Sequence, residues 1–441
     1  MGTPIRLKRD LARHLAAGHP WIYADALERT RVCPQSPDRV GRSSQLGTRG
    51  ATRVPTGGRH PRSDKASRGE NEPDDGRTLR TDTRLSAGAV VDVLSPDGRF
   101  VARGLYDPDS PLAVRVWTRD RKVELDGTLV EQRLGEALRS RRGAIDPEST
   151  DAFRWANGEG DFLPGIVVDL YASVAVVRFD GAAVRVLRDA VAAAVVKLGA
   201  PLGVRHVYER SRGHVGSVLA GGPPPSPIEI RELGVRFAVD VIAGQKTGSF
   251  LDQRENRWRL RRYAAGEAVA NLFCYTGGFS VHAALAGATE VVSVDSAAGA
   301  LESARTNFVL NGLDPERYAF EAGDAFEWLE RARTAGRRFG LVIVDPPSFA
   351  PSERAVAKAL AAYRRLHAAA LSIVVPGGVI AAASCSSHVG MELFLSALSD
   401  GAQFAHRSLR VLEVYGQPAD HPSLPAFSEG RYLKMVIART S

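Results

Sequence analysis

The sequence predicts a multidomain α/β protein whose C-terminal part is a Rossmann-like sheet, mixed but mostly parallel. Three observations lead there. A chain of 441 residues exceeds what one hydrophobic core usually serves. From Gly244 onward strand-like and helix-like stretches alternate, the pattern of a doubly wound sheet. Ahead of that point, short β-rich runs broken by turn residues suggest a small barrel or sandwich, followed by a mixed segment.

Residues 1–32 begin the β-rich domain, with Trp21, Ile22 and Tyr23 as its apolar payload. Residues 34–84 contain no aromatic residue and only Val40, Leu46, Val54 and Leu79 as large aliphatics. Such a stretch cannot bury enough apolar surface to offset its ordering entropy, so it reads as a disordered insert. Strand patterning resumes at 89–94, 100–106 and 112–118, completing a first domain over 1–118. A middle α+β domain is expected over 119–243, with helix at 119–142, a hairpin from 165–170 and 174–179, helix at 184–198, and strands at 204–209 and 235–241. In the third domain, 244–441, strands are expected at 268–273, 291–295, 319–323, 341–345 and 379–384. Helices are expected between and after them at 278–286, 297–311, 325–335, 354–375 and 391–398.

The formal net charge is +8, and a basic balance favours polyanionic partners through counterion release. Half of that excess lies in 34–84, where eleven Arg or Lys face seven Asp or Glu. Cys33, Cys274 and Cys385 are too scattered for a disulfide framework or a metal-binding pattern, so the expectations are a reducing cytoplasm and no metal. Met1–Trp21 carries no secretory h-region, and no apolar run is long enough to cross a membrane.

The chemistry-bearing residues fall at the carboxyl ends of the expected strands, where open α/β sheets bind ligands. The first strand runs through Asn271 and Phe273 into a turn holding Tyr275, Gly277 and Gly278, which lets the backbone approach a ligand closely. The spacing is not G-x-G-x-x-G, which argues against a nicotinamide dehydrogenase. Asp295 ends the next strand, where it can accept both hydroxyls of a ribose. Asp324 follows the third, placed to accept from an adenine amino group. Helix capping is the alternative for both aspartates. The fourth strand ends in Asp345-Pro346-Pro347-Ser348-Phe349, a rigid extended exit that holds Asp345 at the sheet edge facing a methyl donor. The fifth ends in Ser384-Cys385-Ser386, with His388 close behind. Cytosine C5 is too electron-poor to attack a methyl sulfonium unaided. A thiolate adding to C6 makes C5 an enamine-like nucleophile, and Asp345 can bond the N3/N4 edge of the ring. Cys274, inside the cofactor turn, reads as packing.

These blocks resemble the ribosomal RNA large-subunit methyltransferase I family, which forms 5-methylcytosine in 23S rRNA. The likeness is carried by Gln245–Arg254, Asn271–Val281, Val292–Asp295, Asp345–Phe349, Ser384–Ser386, Ala419–Pro422 and Glu429–Lys434. It implies an N-terminal PUA domain, a class I methyltransferase domain, S-adenosylmethionine as cofactor and large-subunit ribosomal RNA as partner. It gives Cys385 the nucleophile role and Asp345 the base-edge role. Phe250, Asp252, Gln253 and Arg254 would shape the cofactor or target pocket, and Pro346, Pro347, Phe349, His388 and His421 the substrate side. Where a related two-cysteine family keeps a second cysteine, this chain has Pro347, so water, Asp345 and His388 all stay open as the base that removes the C5 proton. Oligomeric state stays open too, a homodimer included. Two rival readings are a methyltransferase acting on a purine nitrogen and a non-catalytic RNA-binding assembly factor. Cys385 argues against the first, and the intact cofactor and cysteine positions against the second.

Overall fold

The computed structural model describes residues 2–28, 85–211 and 216–441; the insert expected at 34–84 lies outside them. Strands β1 (Thr3–Arg6), β2 (Trp21–Ile22), β3 (Val90–Leu94), β4 (Phe100–Tyr106) and β5 (Val114–Thr118), with helix α1 (Ala12–Ala16), form the N-terminal module. Its sheet order is β1-β3-β4-β5-β2, closed around Leu7, Leu15, Ile22, Val91, Val93 and Val114.

Helix α2 (Gly127–Arg141) starts on Asp126, whose side chain accepts from the Leu129 N–H, and leads into a second five-stranded sheet. That sheet contains β6 (Ala152–Asn157), β7 (Ile166–Tyr171), β8 (Val174–Phe179), then, after α3 (Arg188–Gly199), β9 (His206–Glu209) and β10 (Ser217–Ala220). The hairpin of β11 (Ile228–Glu232) and β12 (Val235–Val239) follows. Ile228, Ile230, Val235 and Phe237 pack in the core of the large C-terminal sheet, together with Tyr171, Val174 and Val176 from the middle sheet.

Helix α4 (Arg254–Ala264) precedes the regular alternation: β13 (Ala268–Leu272), α5 (Gly278–Leu285), β14 (Glu290–Asp295), α6 (Ala298–Leu310), β15 (Ala319–Ala322), α7 (Ala325–Thr334), β16 (Phe339–Val344), α8 (Val356–Leu371), β17 (Val374–Ser384), α9 (Met391–Phe404), β18 (Leu409–Tyr415) and β19 (Lys434–Thr440). The sheet order is β15-β14-β13-β16-β17-β19-β18. All pairings are parallel except those of β19, which runs antiparallel to both β17 and β18. The central strand β16, Phe-Gly-Leu-Val-Ile-Val, is buried along its whole length, as a parallel strand covered on both faces must be. Strand order reverses between β13 and β16, and a crevice opens there at the strands' carboxyl ends.

Several helix ends differ from the expectation. Helix α2 begins at Gly127 rather than at 119, because Asp120 turns the preceding segment by accepting from the Lys122 N–H and Asp126 supplies the cap, and residues 183–187 form a 3-10 turn ahead of α3. Helix α8 stops at Leu371 rather than running to Val375, because the β-branched Val374 and Val375 precede Pro376 and begin β17 instead. Helix α9 continues past Leu398 to Phe404 because Gly401 is a packing residue: a Cβ there would sit 2.7 Å from the His367 Cβ of α8.

Candidate active site

A cleft of about 750 Å³ lies at the switch point, ample for a nucleoside-sized ligand plus a base. Its walls include Phe273, Tyr275, Gly278 and Asp295 on one side and Asp252, Gln253, Asp345, Pro346, Pro347 and Cys385 on the other.

The turn after β13 is tightly constrained. Phe273 and Tyr275 have φ of 58° and 49°, left-handed values uncommon away from glycine and typical of functional sites. Gly277 (φ 75°) caps α5, and a Cβ on it would approach the Ala304 Cβ to 2.8 Å. Asp295 organises this turn: one oxygen accepts from the Tyr275 N–H at 2.8 Å and the other from the Ala297 N–H at 2.9 Å. Each oxygen keeps a second lone pair, and the half-buried carboxylate sits at the cleft wall, suited to a ribose diol. The residues present therefore fit S-adenosylmethionine: an acidic acceptor, a strained aromatic turn and a glycine-started helix facing one crevice.

On the other wall, β16 delivers Asp345 and β17 delivers Cys385. Their loops are tied together, since Ser348 and Ser386 hydroxyls lie 3.0 Å apart and the Tyr363 hydroxyl lies 2.8 Å from Ser384 Oγ and 3.2 Å from Ser386 Oγ. Asp345 Oδ2 accepts from Gln253 Nε2 at 2.9 Å, and Gln253 Oε1 accepts from Asn256 Nδ2 at 2.7 Å. Burial, with the charge of Asp252 second, raises the Asp345 carboxyl to about 6. Burial also pushes up the Cys385 thiol; Asp345 adds to this and Lys246 opposes it. Behind the cysteine, buried Lys434 donates to the carbonyls of Ser386 (2.6 Å) and Tyr432 (2.7 Å). Burial lowers its ammonium to about 8, against the field of Cys385.

Asp252 is 2% exposed. Its Oδ2 accepts from Lys246 Nζ at 2.8 Å and from the Tyr432 hydroxyl at 2.7 Å. Burial alone would raise its pKa, but Lys246 and His421 outweigh that and hold it well below the usual carboxylate range.

Other expected site residues lie elsewhere. Asp324 is exposed and caps α7, accepting from the Phe326 and Glu327 N–H groups, so the capping alternative describes it. Asn271 is buried within β13 and donates to Ser280 Oγ. Gly277 shapes the turn without lining the cleft. Arg254 points away from the cleft into a buried bidentate pair with Asp420 (2.9 and 3.0 Å), and Asp420 also sits 3.1 Å from His421 Nδ1. Arg254 and His421 thus fasten the loop before β19 to α4. Phe349 packs on Tyr363, ring centroids 4.9 Å apart, and His388 is exposed and off the cleft wall. Conversely, Lys246, Asn256, Tyr432 and Lys434 were not singled out from the sequence. Lys246, Tyr432 and Lys434 lie inside the stretches that carry the family resemblance, but a lysine or tyrosine announces no role until its partner is in view.

Residues 166–435 match the family model described as S-adenosylmethionine-dependent methyltransferase, and residues 76–119 match that of a PUA-like domain. Ribosomal RNA large subunit methyltransferase I of Shewanella denitrificans is 36% identical over 362 residues, 80% of this chain and 90% of that protein. The protein of the same name from Klebsiella pneumoniae (strain 342) is 35% identical over 373 residues, 82% and 92% respectively. The chain belongs to this methyltransferase family. Among solved structures, a methyltransferase complexed with SAH superposes with a TM-score of 0.74 at 27% identity, covering 81% of this chain and 93% of that one. A SAM-dependent methyltransferase from Streptococcus mutans shares the fold, with a TM-score of 0.78 at 23% identity over 99% of this chain and 100% of that one. Membership supplies what the cleft alone left open: the enzyme is a methyltransferase and S-adenosylmethionine is its methyl donor.

Proposed function

We propose that the enzyme methylates C5 of a cytosine in large-subunit ribosomal RNA through a transient bond from Cys385 to C6. The observation that carries this is the placement of Cys385 and Asp345 on adjacent strand ends, in one cleft with the constrained turn and Asp295. The names of the relatives supply the RNA class. Asp295, Tyr275 and Phe273 would hold the nucleoside of the methyl donor, which brings an electrophilic sulfonium methyl.

The chain's own groups account for the rest. The resting thiol is held protonated, so attack needs a proton acceptor. Asp345, ionised above about pH 6, can take the thiol proton and pass it to N3 as the sulfur–C6 bond forms. The electron pair of the C5–C6 double bond then resides in an enamine and attacks the methyl at C5. Loss of the C5 proton to a base restores the C5–C6 double bond and expels the thiolate, and the N3 proton returns through Asp345 to the sulfur. Gln253, held by Asn256, orients the Asp345 carboxyl through these transfers.

A purine nitrogen needs no nucleophilic cysteine, so that reading leaves Cys385 without work. Mass-spectrometric mapping of large-subunit rRNA from a deletion strain tests the proposal. One missing 5-methylcytosine, restored by the wild-type gene and not by Cys385→Ala, is the expected result. A missing methylpurine would overturn it.

A further inference from the structure

We propose that Asp252 is the acceptor for the exocyclic amino group of the target pyrimidine, leaving Asp345 to serve the ring nitrogen. This rests on the cytosine-C5 reading above and assigns a specificity-determining residue within it.

Asp252 is a nearly fully buried carboxylate with one oxygen used and one unused. Lys246 and Tyr432 both bind Oδ2, while Oδ1 is buried with no hydrogen-bond partner, although the residue lines the cleft. An ionised oxygen stranded without a donor is costly, so its position is explained by a ligand that brings one. A salt bridge and a phenol donor on Oδ2 keep the group ionised and acceptor-only, so the missing partner must be an N–H or O–H.

Asp252 lies on the Cys385 side of the cleft. Its charge acts on both Asp345 and Cys385, whereas Asp295 acts on Cys274 and Tyr275 at the other wall. A cytosine whose C6 faces Cys385 presents an N3 acceptor and an N4 amino donor along one edge. Asp345 Oδ2 is held by Gln253, which leaves its other oxygen to exchange a proton with N3, and the unused oxygen of a second carboxylate meets the need of N4. Uracil would place a carbonyl oxygen against Asp252 Oδ1, acceptor against acceptor, and be rejected. Lys246 is then a positioning residue: its backbone holds a left-handed φ of 52°, and its ammonium sits 4.3 Å above the Phe250 ring while gripping Asp252.

The test is a cycle between an enzyme group and a substrate group. Full-length protein is incubated with S-adenosylmethionine and rRNA transcripts carrying either 5-fluorocytosine or 5-fluoropyrimidin-2-one, which lacks the amino group. Fluorine cannot leave C5 as a proton does, so covalent adducts accumulate and their rate of formation is read. Asp252→Ala should slow trapping of the cytosine transcript by at least about tenfold, the loss of one charged hydrogen bond. It should slow trapping of the amino-free transcript less than about threefold. Asp252→Asn, which keeps the volume and a neutral acceptor, should fall between and guards against misfolding of the alanine variant. S-adenosylmethionine affinity should stay within about threefold in both. Equal losses on the two transcripts, or a loss confined to cofactor affinity, would overturn the assignment while leaving the Cys385 reading intact. Failure of the wild type to trap either transcript would overturn both.

Discussion

Replacing Asp345 by Asn should make the protein more stable at neutral pH while disabling it. In the folded protein the carboxyl titrates at about 6 against an ordinary 3.8, chiefly because burial disfavours its charge. A raised acid contributes its stability below the unfolded value of 3.8 and loses it as pH climbs through 6. At about 1.4 kcal/mol per pH unit, the loss above pH 6 amounts to about 3 kcal/mol. The carboxyl opens onto the solvent of the cleft, so half of that, roughly 1–2 kcal/mol, is the sounder expectation. Asparagine carries no charge at any of these pH values, and its amide oxygen can still accept from Gln253 Nε2. Without cofactor, Asp345→Asn should therefore melt about 2–6 °C above the wild type at pH 8, with the gap narrowing at pH 5. Turnover should fall by about 10²–10⁴, the usual worth of a positioned proton carrier. Calorimetric melts across that pH range, with turnover measured on rRNA transcript, would settle both points. A variant less stable than wild type at pH 8, or a gap that ignores pH, would refute the picture of a strained, functional carboxylate.

Asp295→Ala should weaken S-adenosylmethionine binding by about 2–3 kcal/mol, since a charged acceptor for two hydroxyls is lost; calorimetry reads this directly. Asp420→Ala strands the buried Arg254 guanidinium and should cost about 3–5 kcal/mol in chemical denaturation, far more than a surface pair would. Cys274→Ser should retain most of the turnover, because that thiol is buried in the turn and donates to the Tyr275 carbonyl, a bond a serine hydroxyl can also make.

The alternation after β13 was plain in the sequence because parallel strands buried on both faces leave unbroken runs such as Leu341–Val344, and the helices between them carry clear periodicity. Helix α4 was missed for the opposite reason. Its inward stripe is Arg254, Arg257, Leu260 and Ala264, and two arginines hide an apolar face unless their buried partners Asp420 and Glu232 are known. Strand β18 is an edge strand with Val411, Leu412 and Val414 exposed, so its pattern says little about burial. At the site, the placement of Asp295, Asp345 and Cys385 on the cleft wall was legible, because it follows from their positions at strand ends. Arg254 and His421 were assigned to the pocket by the family resemblance, yet both bond Asp420, which lies 166 residues from Arg254 in sequence. Asp324 had two readings in the sequence, and the hydrogen bonds at the start of α7 show its capping role, while it does not line the cleft.

The most direct measurement locates the bond. Wild-type protein trapped on rRNA transcript containing 5-fluorocytosine is digested with nuclease and protease, and the modified peptide is sequenced by mass spectrometry. The modification should lie on Cys385 and be absent from Cys385→Ala, which should still bind cofactor and RNA. Modification of Cys274, or continued 5-methylcytosine formation by Cys385→Ala, would contradict covalent catalysis by Cys385.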